Sequence, residues 1–103
     1  MSDDETIKKG RANLQRGIET VGGSLSLTND QLVFTPHDTN FQRDPVAIGV
    51  NEIQSVAKGW TKFLGFIPLF PNTLSVQTGA ETHRFVVSDR DGWAAAIQSR
   101  TQS

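Results

Sequence analysis

Bulky apolar residues along most of this chain fall at every second position, the period of strands with one buried face. Ala12, Leu14, Arg16 and Ile18 alternate as a first strand, interrupted by Gly17. Gly22-Gly23 reads as a turn or bulge. Leu25 and Leu27 then alternate with Ser24 and Ser26, Thr28-Asn29-Asp30 turns the chain, and Leu32 and Phe34 alternate on the return. This is the pattern of a β-hairpin, ended by Pro36, which cannot donate to a ladder. His37–Pro45 is polar, with Phe41 its one bulky apolar residue, and reads as a loop. Val46, Ile48 and Val50 alternate again. Ile53 and Val56 sit three apart, which suits a strand with a bulge or a turn of helix, the bulged strand being the better fit. Leu74, Val76 and Thr78 alternate next, and Gly79-Ala80-Glu81 links them as a hairpin to Thr82–Val87, where His83, Phe85 and Val87 share a face.

The period changes once. Trp93, Ala96 and Ile97 recur at i, i+3 and i+4, which places them on one face of a helix. Ser88 is the expected cap, with Asp91 three residues on closing a capping-box-like pair. Asp89 and Asp91 suit the positive helix start. Gly92 inside this helix marks a place where its backbone presses close to the sheet. One short helix cannot bury Trp93 against itself, so Trp93 is a core anchor. About seven short strands followed by one helix predict an antiparallel sandwich or partly open barrel, with the helix over one end.

Composition narrows this picture. The 103 residues suit one domain, 36% of them hydrophobic with two Trp and six Phe, a thin two-layer fold without a deep catalytic pocket. Met1–Arg11 begins acidic, turns basic at Lys8, Lys9 and Arg11, and reads as a flexible N-terminal tail ahead of a domain at 12–101. A short charge run on a tail is ordinarily solvated. There is no cysteine, which excludes disulfides, thiolate nucleophiles and Cys-based zinc sites. No apolar run approaches the roughly 18–20 residues of a membrane span, and the N-terminus has no apolar core of a signal peptide, so the default location is cytoplasmic. A net charge of -1 argues against a nucleic-acid binder. His37 and His83 are isolated, and Asp38 and Asp44 near His37 bring no nucleophile or third ligand, so neither a metal site nor acid–base catalysis is expected. No cofactor is implied.

Gly59–Pro71 breaks the pattern. Trp60, Phe63, Leu64, Phe66, Ile67, Leu69 and Phe70 crowd a stretch that also holds Gly59, Gly65, Pro68 and Pro71, and it carries four of the eight aromatic residues. It reads as a loop that is either buried or used. In one reading it folds over an open end of the sandwich and completes the core. In the other it is a protruding wedge that enters a bilayer or a partner's groove. Lys58 and Lys62 flank it and add about 1 kcal/mol apiece on an anionic leaflet. Lys58, Trp60, Lys62, Phe63 and Phe66 are therefore the candidate contact residues, for membrane phospholipid or alternatively for a protein partner or a second copy of the chain. Two or three bulky side chains at roughly 1.5–3 kcal/mol each barely exceed an association cost of about 4–15 kcal/mol, so such binding is weak and reversible, and self-association leaves a monomer or a weak homo-oligomer.

Taken together, these residues resemble a GRAM domain, a branch of the pleckstrin-homology-like superfold, over about Ala12 to Ile97. Gly22-Gly23-Ser24-Leu25-Ser26-Leu27-Thr28 with Leu32-Val33-Phe34 is similar to the family's "G-x-L-x-L-T … L-x-F" hairpin. Asn40 follows, then Val46–Val50 with Ile53 and Val56 in an "I-x-x-V" position, and Leu64-Gly65 ahead of Pro68. Leu74-Ser75-Val76-Gln77-Thr78 is similar to its "L-x-V-x-T" strand, and Phe85-Val86-Val87 with Trp93 and Ile97 to its closing strand and helix. The resemblance implies a seven-stranded antiparallel sandwich or partly open barrel capped by one C-terminal helix. It also implies no catalytic residues and a role in binding membrane phospholipids or protein partners. Phosphoinositide-gripping pleckstrin-homology domains carry several Lys and Arg residues across the first two strands and their turn. Here only Arg16 stands there, and one cation cannot neutralise a polyphosphate.

Overall fold

The computed structural model describes residues 5–16, 19–37, 45–63 and 67–101, of which 16, 19, 60–63 and 67–71 are described by backbone alone. Seven strands are followed by one helix: β1 (Lys8–Arg16), β2 (Glu19–Leu27), β3 (Gln31–Pro36), β4 (Val46–Gly49), β5 (Ile53–Phe63), β6 (Ile67–Thr78), β7 (Thr82–Val87) and α1 (Arg90–Thr101). They form one open antiparallel sheet in the order β4-β3-β2-β1-β7-β6-β5. The expected antiparallel fold with a C-terminal helix is therefore the fold observed.

The alternation of the sequence is the alternation of burial. Leu25 and Leu27 of β2 pair with Phe34 and Leu32 of β3, and all four are buried with Leu74, Val76, Phe85 and Val87. The Phe34 and Phe85 rings meet at 5.9 Å between centroids, tilted by 40°. Helix α1 covers this core from above β5 and β6, burying Trp93, Ala94 and Ile97. Trp93 is 3% exposed, as the anchoring reading requires.

Two hairpin turns use the same device. Thr28 Oγ1 accepts from the amides of Asp30 and Gln31, and Thr78 Oγ1 accepts from those of Ala80 and Glu81. A short polar side chain that satisfies turn amides fixes the reversal without glycine in a left-handed conformation. Arg100 Nη1 donates to Asn29 Oδ1 at 2.9 Å, tying the end of α1 to the first of these turns.

Several boundaries differ from the sequence reading. Lys8–Arg11, expected as the end of a tail, are strand: Lys8 pairs with Leu27 and Arg11 with Ser24. Gly22-Gly23 is neither turn nor bulge but the middle of β2, facing Asn13 and Ala12. Gly23 must be bare, because a Cβ there would meet the carbonyl oxygen of Thr35 and lie 2.7 Å from Phe34 Cζ. At Ile53–Val56 the bulged strand is found, with the β5 register shifting between Ile53 and Ser55, whereas Val50, expected in a strand, begins a 3₁₀ turn at Val50–Glu52 that joins β4 to β5.

The helix start also moves by one residue. Asp89, not Ser88, caps α1, its Oδ1 accepting from the Gly92 N–H at 3.2 Å. Gly92 accordingly answers to the cap and not to the sheet, since a Cβ there would collide with the Asp89 carboxylate.

Candidate binding surface: the β5–β6 arm

The apolar stretch expected as a loop is for the most part a ladder. β5 and β6 pair from Ile53↔Thr78 through Gly59↔Thr73, Thr61↔Phe70 and Lys62↔Pro68 to Phe63↔Ile67, with register shifts on both sides of Thr61. β7 does not follow them. Its last pair with β6 is Thr73↔Val86, after which the chain turns into α1. Beyond that point, among the described residues, no third strand pairs with 60–63 or with 67–72. The two strands thus continue past the body of the sheet as a two-stranded arm. Prolines fit there because such a ribbon has outward edges that need no N–H in a ladder.

The root of the arm is fixed by the helix start. Arg90 Nη1 donates to the carbonyl oxygen of Gly59 at 2.7 Å, with the Arg90 side chain only 16% exposed. Arg90 Nε donates to Asp91 Oδ1 at 3.2 Å, and Lys58 Nζ lies 3.5 Å from the same oxygen. The Arg90 hydrogen bond first, and the Lys58 charge second, hold the Asp91 carboxyl below its ordinary value. These ion pairs are surface pairs of small individual worth. The Arg90–Gly59 bond matters more, because it satisfies a backbone carbonyl where the sheet loses its third strand.

The expected contact residues therefore divide. Lys58 stands at the root, half exposed and engaged by Asp91. Trp60, Lys62 and Phe63 lie on the β5 branch of the arm by backbone position, and their side chains are outside the described residues, as is Phe66 altogether. Arg90 escaped the sequence reading, and Asp91 entered it only as a capping partner, because nothing local in the helix start signals a contact 31 residues away in the chain. His37 Nε2 lies 3.1 Å from Ser24 Oγ, and His83 Nε2 lies 3.9 Å from Glu81 Oε2. Among the described residues no three His, Cys, Asp or Glu side chains are grouped as metal ligands.

No protein-family model and no curated protein sequence matches the chain. Solved structures do resemble it. The C-terminal domain of an unknown protein from Leishmania infantum superposes with a TM-score of 0.81 at 19% identity, over 97% of this chain and 86% of that one. The N-terminal PH domain of human ARAP2 gives 0.70 at 14% identity, over 92% and 78%. The PH domain of Slm1 in complex with phosphoserine gives 0.70 at 14%, over 95% and 97%, and that domain is also solved with inositol-4-phosphate. Likeness at such identities establishes a pleckstrin-homology-like fold and says nothing finer, since fold and site chemistry are separable.

Proposed function

We propose that this chain is a non-enzymatic binding module of GRAM type, which associates weakly with phospholipid at the cytoplasmic leaflet of a membrane through residues 58–70. The observation that carries the reading is the arm: a ribbon outrunning the sheet, rich in Trp, Phe, Leu and Ile. Apolar residues on such a ribbon gain free energy where water is displaced, and a bilayer interface offers that along its whole length. The attachment is peripheral, and no described helix is long and apolar enough to cross a membrane. The inositol-4-phosphate complex of the similarly folded Slm1 PH domain favours a lipid partner over other apolar surfaces.

The electrostatic share is small. Lys58 is shared with Asp91, so its pull on an anionic leaflet falls short of the about 1 kcal/mol of a free lysine. Binding rests on insertion, and each inserted aromatic contributes about 1.5–3 kcal/mol.

Co-sedimentation with phosphatidylcholine vesicles, with and without phosphatidylserine, tests this. The protein should pellet with both, modestly better with the anionic ones. Trp60→Ala and Phe63→Ala should each weaken pelleting by about tenfold or more while the circular dichroism spectrum is kept. Failure to pellet with anionic vesicles even at low salt would sink the membrane reading, and unfolding of both variants would show the segment to be core.

A further inference from the structure

With β1 beginning at Lys8, cations expected on a tail stand on the sheet. Exposure alternates along the strand, so Lys9, Arg11 and Asn13 face outward while Ala12 and Leu14 face the core. Register sets Asn13 opposite Gly22 on one side and Val86 on the other. Past the end of β3, the His37 N–H donates to the Gly22 carbonyl at 3.0 Å. Where these strands cross lies an open cleft of about 500 Å³, with Arg11, Asn13, Gly22, His37, Asn72 and Ser88 in its walls.

Three features give this cleft a chemistry. Its floor is hollow because Gly22 has no side chain, and the nearest atom to a Cβ placed there is Asn13 Oδ1 at 3.2 Å. Its walls offer a guanidinium, two side-chain amides, a hydroxyl and an imidazole, and no Asp or Glu is among the described residues lining it. Its cation is not committed elsewhere: Lys8, Lys58 and Arg90 are paired with Asp89 or Asp91, whereas among the described residues no carboxylate pairs with Arg11.

We propose that this cleft binds a single phosphate group, free or carried on a lipid headgroup, with Arg11 as its charged contact. A planar guanidinium matches two phosphate oxygens at once, and hydrogen-bond donors around it complete the shell. One cation suits one phosphate where it could not hold a polyphosphate. The site is also separate from the end of the β1–β2 pair, where Arg16 stands opposite Glu19 in the backbone register. The headgroup form rests on the membrane reading above. Asn72 is the first β6 residue of the arm beyond the Thr73↔Val86 pair, so the cleft sits at the arm's base, where a headgroup lies when the arm is in the bilayer.

The test is a nuclear magnetic resonance titration of the isotope-labelled full chain with sodium phosphate, against sodium chloride at matched ionic strength. The amides of Arg11, Asn13, Gly22 and His37 should shift saturably with phosphate and not with chloride, with a dissociation constant on the order of millimolar. Arg11→Ala should weaken this by about tenfold or more, and Arg11→Lys should restore it only in part. Gly22→Val fills the hollow, its nearest neighbour is the movable end of Asn13, and strands favour β-branched residues, so it should abolish binding with the fold kept. Unmoved amides in the unaltered protein, or a Gly22→Val protein that titrates like it, would overturn the proposal.

Sedimentation of the same variants with phosphatidylcholine vesicles containing phosphatidic acid separates the sources. Weakened pelleting of Arg11→Ala and Gly22→Val supports a headgroup, and unchanged pelleting with the phosphate shifts intact supports free phosphate. A protein that titrates with phosphate and pellets with no vesicle would sink the membrane reading alone. One that pellets while its cleft amides stay still would sink only the cleft.

Discussion

Lys8 Nζ lies 5.3 Å from the centroid of the Trp93 ring and 3.0 Å from Asp89 Oδ2. One side chain at the start of β1 thus holds both the buried anchor and the cap of α1. Asp89 is pulled below its ordinary value near 3.8, first by the Lys8 hydrogen bond, then by the Gly92 N–H, then by the Lys8 charge. A carboxylate with a depressed folded pKa stabilises above its unfolded value and loses that contribution as pH falls through the folded one. Asp89→Asn should therefore lower the urea midpoint at neutral pH, and the gap from the unaltered protein should close on acidification below the carboxylate range. Gly92 gives a sharper test. Alanine is ordinarily worth up to about 1 kcal/mol over glycine in a helix, but a Cβ here would lie 2.7 Å from Asp89 Cγ and displace the capping carboxylate, which undoes the cap. Gly92→Ala should fail to stabilise the protein, yet stabilise it in an Asp89→Ala background. Equal urea midpoint shifts in both backgrounds would remove the cap from this account.

The two glycines in the middle of β2 show how an element can be misread from its own letters. Gly-Gly is turn chemistry in isolation, yet here one glycine faces the core under the Phe34 ring and the other faces the open cleft beside Arg11. Substitution should split them. Gly23→Ala meets a backbone carbonyl and an aromatic ring 2.7 Å away, and overpacking of this kind costs roughly 1–3 kcal/mol. Gly22→Ala meets only the end of Asn13 and should be neutral or stabilising by about 0.5–1 kcal/mol. Thermal melts of the two single variants check the pair. The early start of β1 was hidden for a related reason. Its first inward positions are Lys8 and Gly10, neither of them apolar, because the Trp93 ring supplies the apolar mass: its Cζ2 would lie 3.7 Å from a Cβ on Gly10. The hairpins at Thr28 and Thr78 were legible since each carries its turn signal and its alternation locally. The arm was not, as its prolines argue against a strand unless the strand has no outer neighbour, and that depends on where β7 stops. The candidate site was visible only as a composition anomaly. Its bracing by Arg90 and the placing of Arg11 on a sheet both require the assembled fold.

At the scale of the whole molecule, stability is graded along the β5–β6 hairpin. From Ile53 to Lys58 and from Leu74 to Thr78 the two strands lie in a seven-stranded sheet, with α1 packed on both. Past Gly59 and Thr73, among the described residues, no third strand pairs with them, and the Arg90 guanidinium holds the Gly59 carbonyl at their root. An isolated two-stranded ribbon is marginal in water, so opening of the arm should need far less free energy than opening of the body. Hydrogen exchange should then show amides in 60–63 and 67–72 exchanging well before those in 74–78. Arg90→Ala should speed exchange at the arm while the buried Leu74 and Val76 amides keep their rates, because the bond it removes is local to the root. The same gradient ties the fold to the proposed activity. If the proposed insertion occurs, a marginal ribbon gains order on entering lipid, so adding phosphatidylcholine vesicles should slow exchange in the arm and leave the Thr28–Gln31 turn unchanged. An arm as protected as the body before any lipid is added would mean that its side chains are already packed against the protein, and a wedge that is already packed has nothing left to insert.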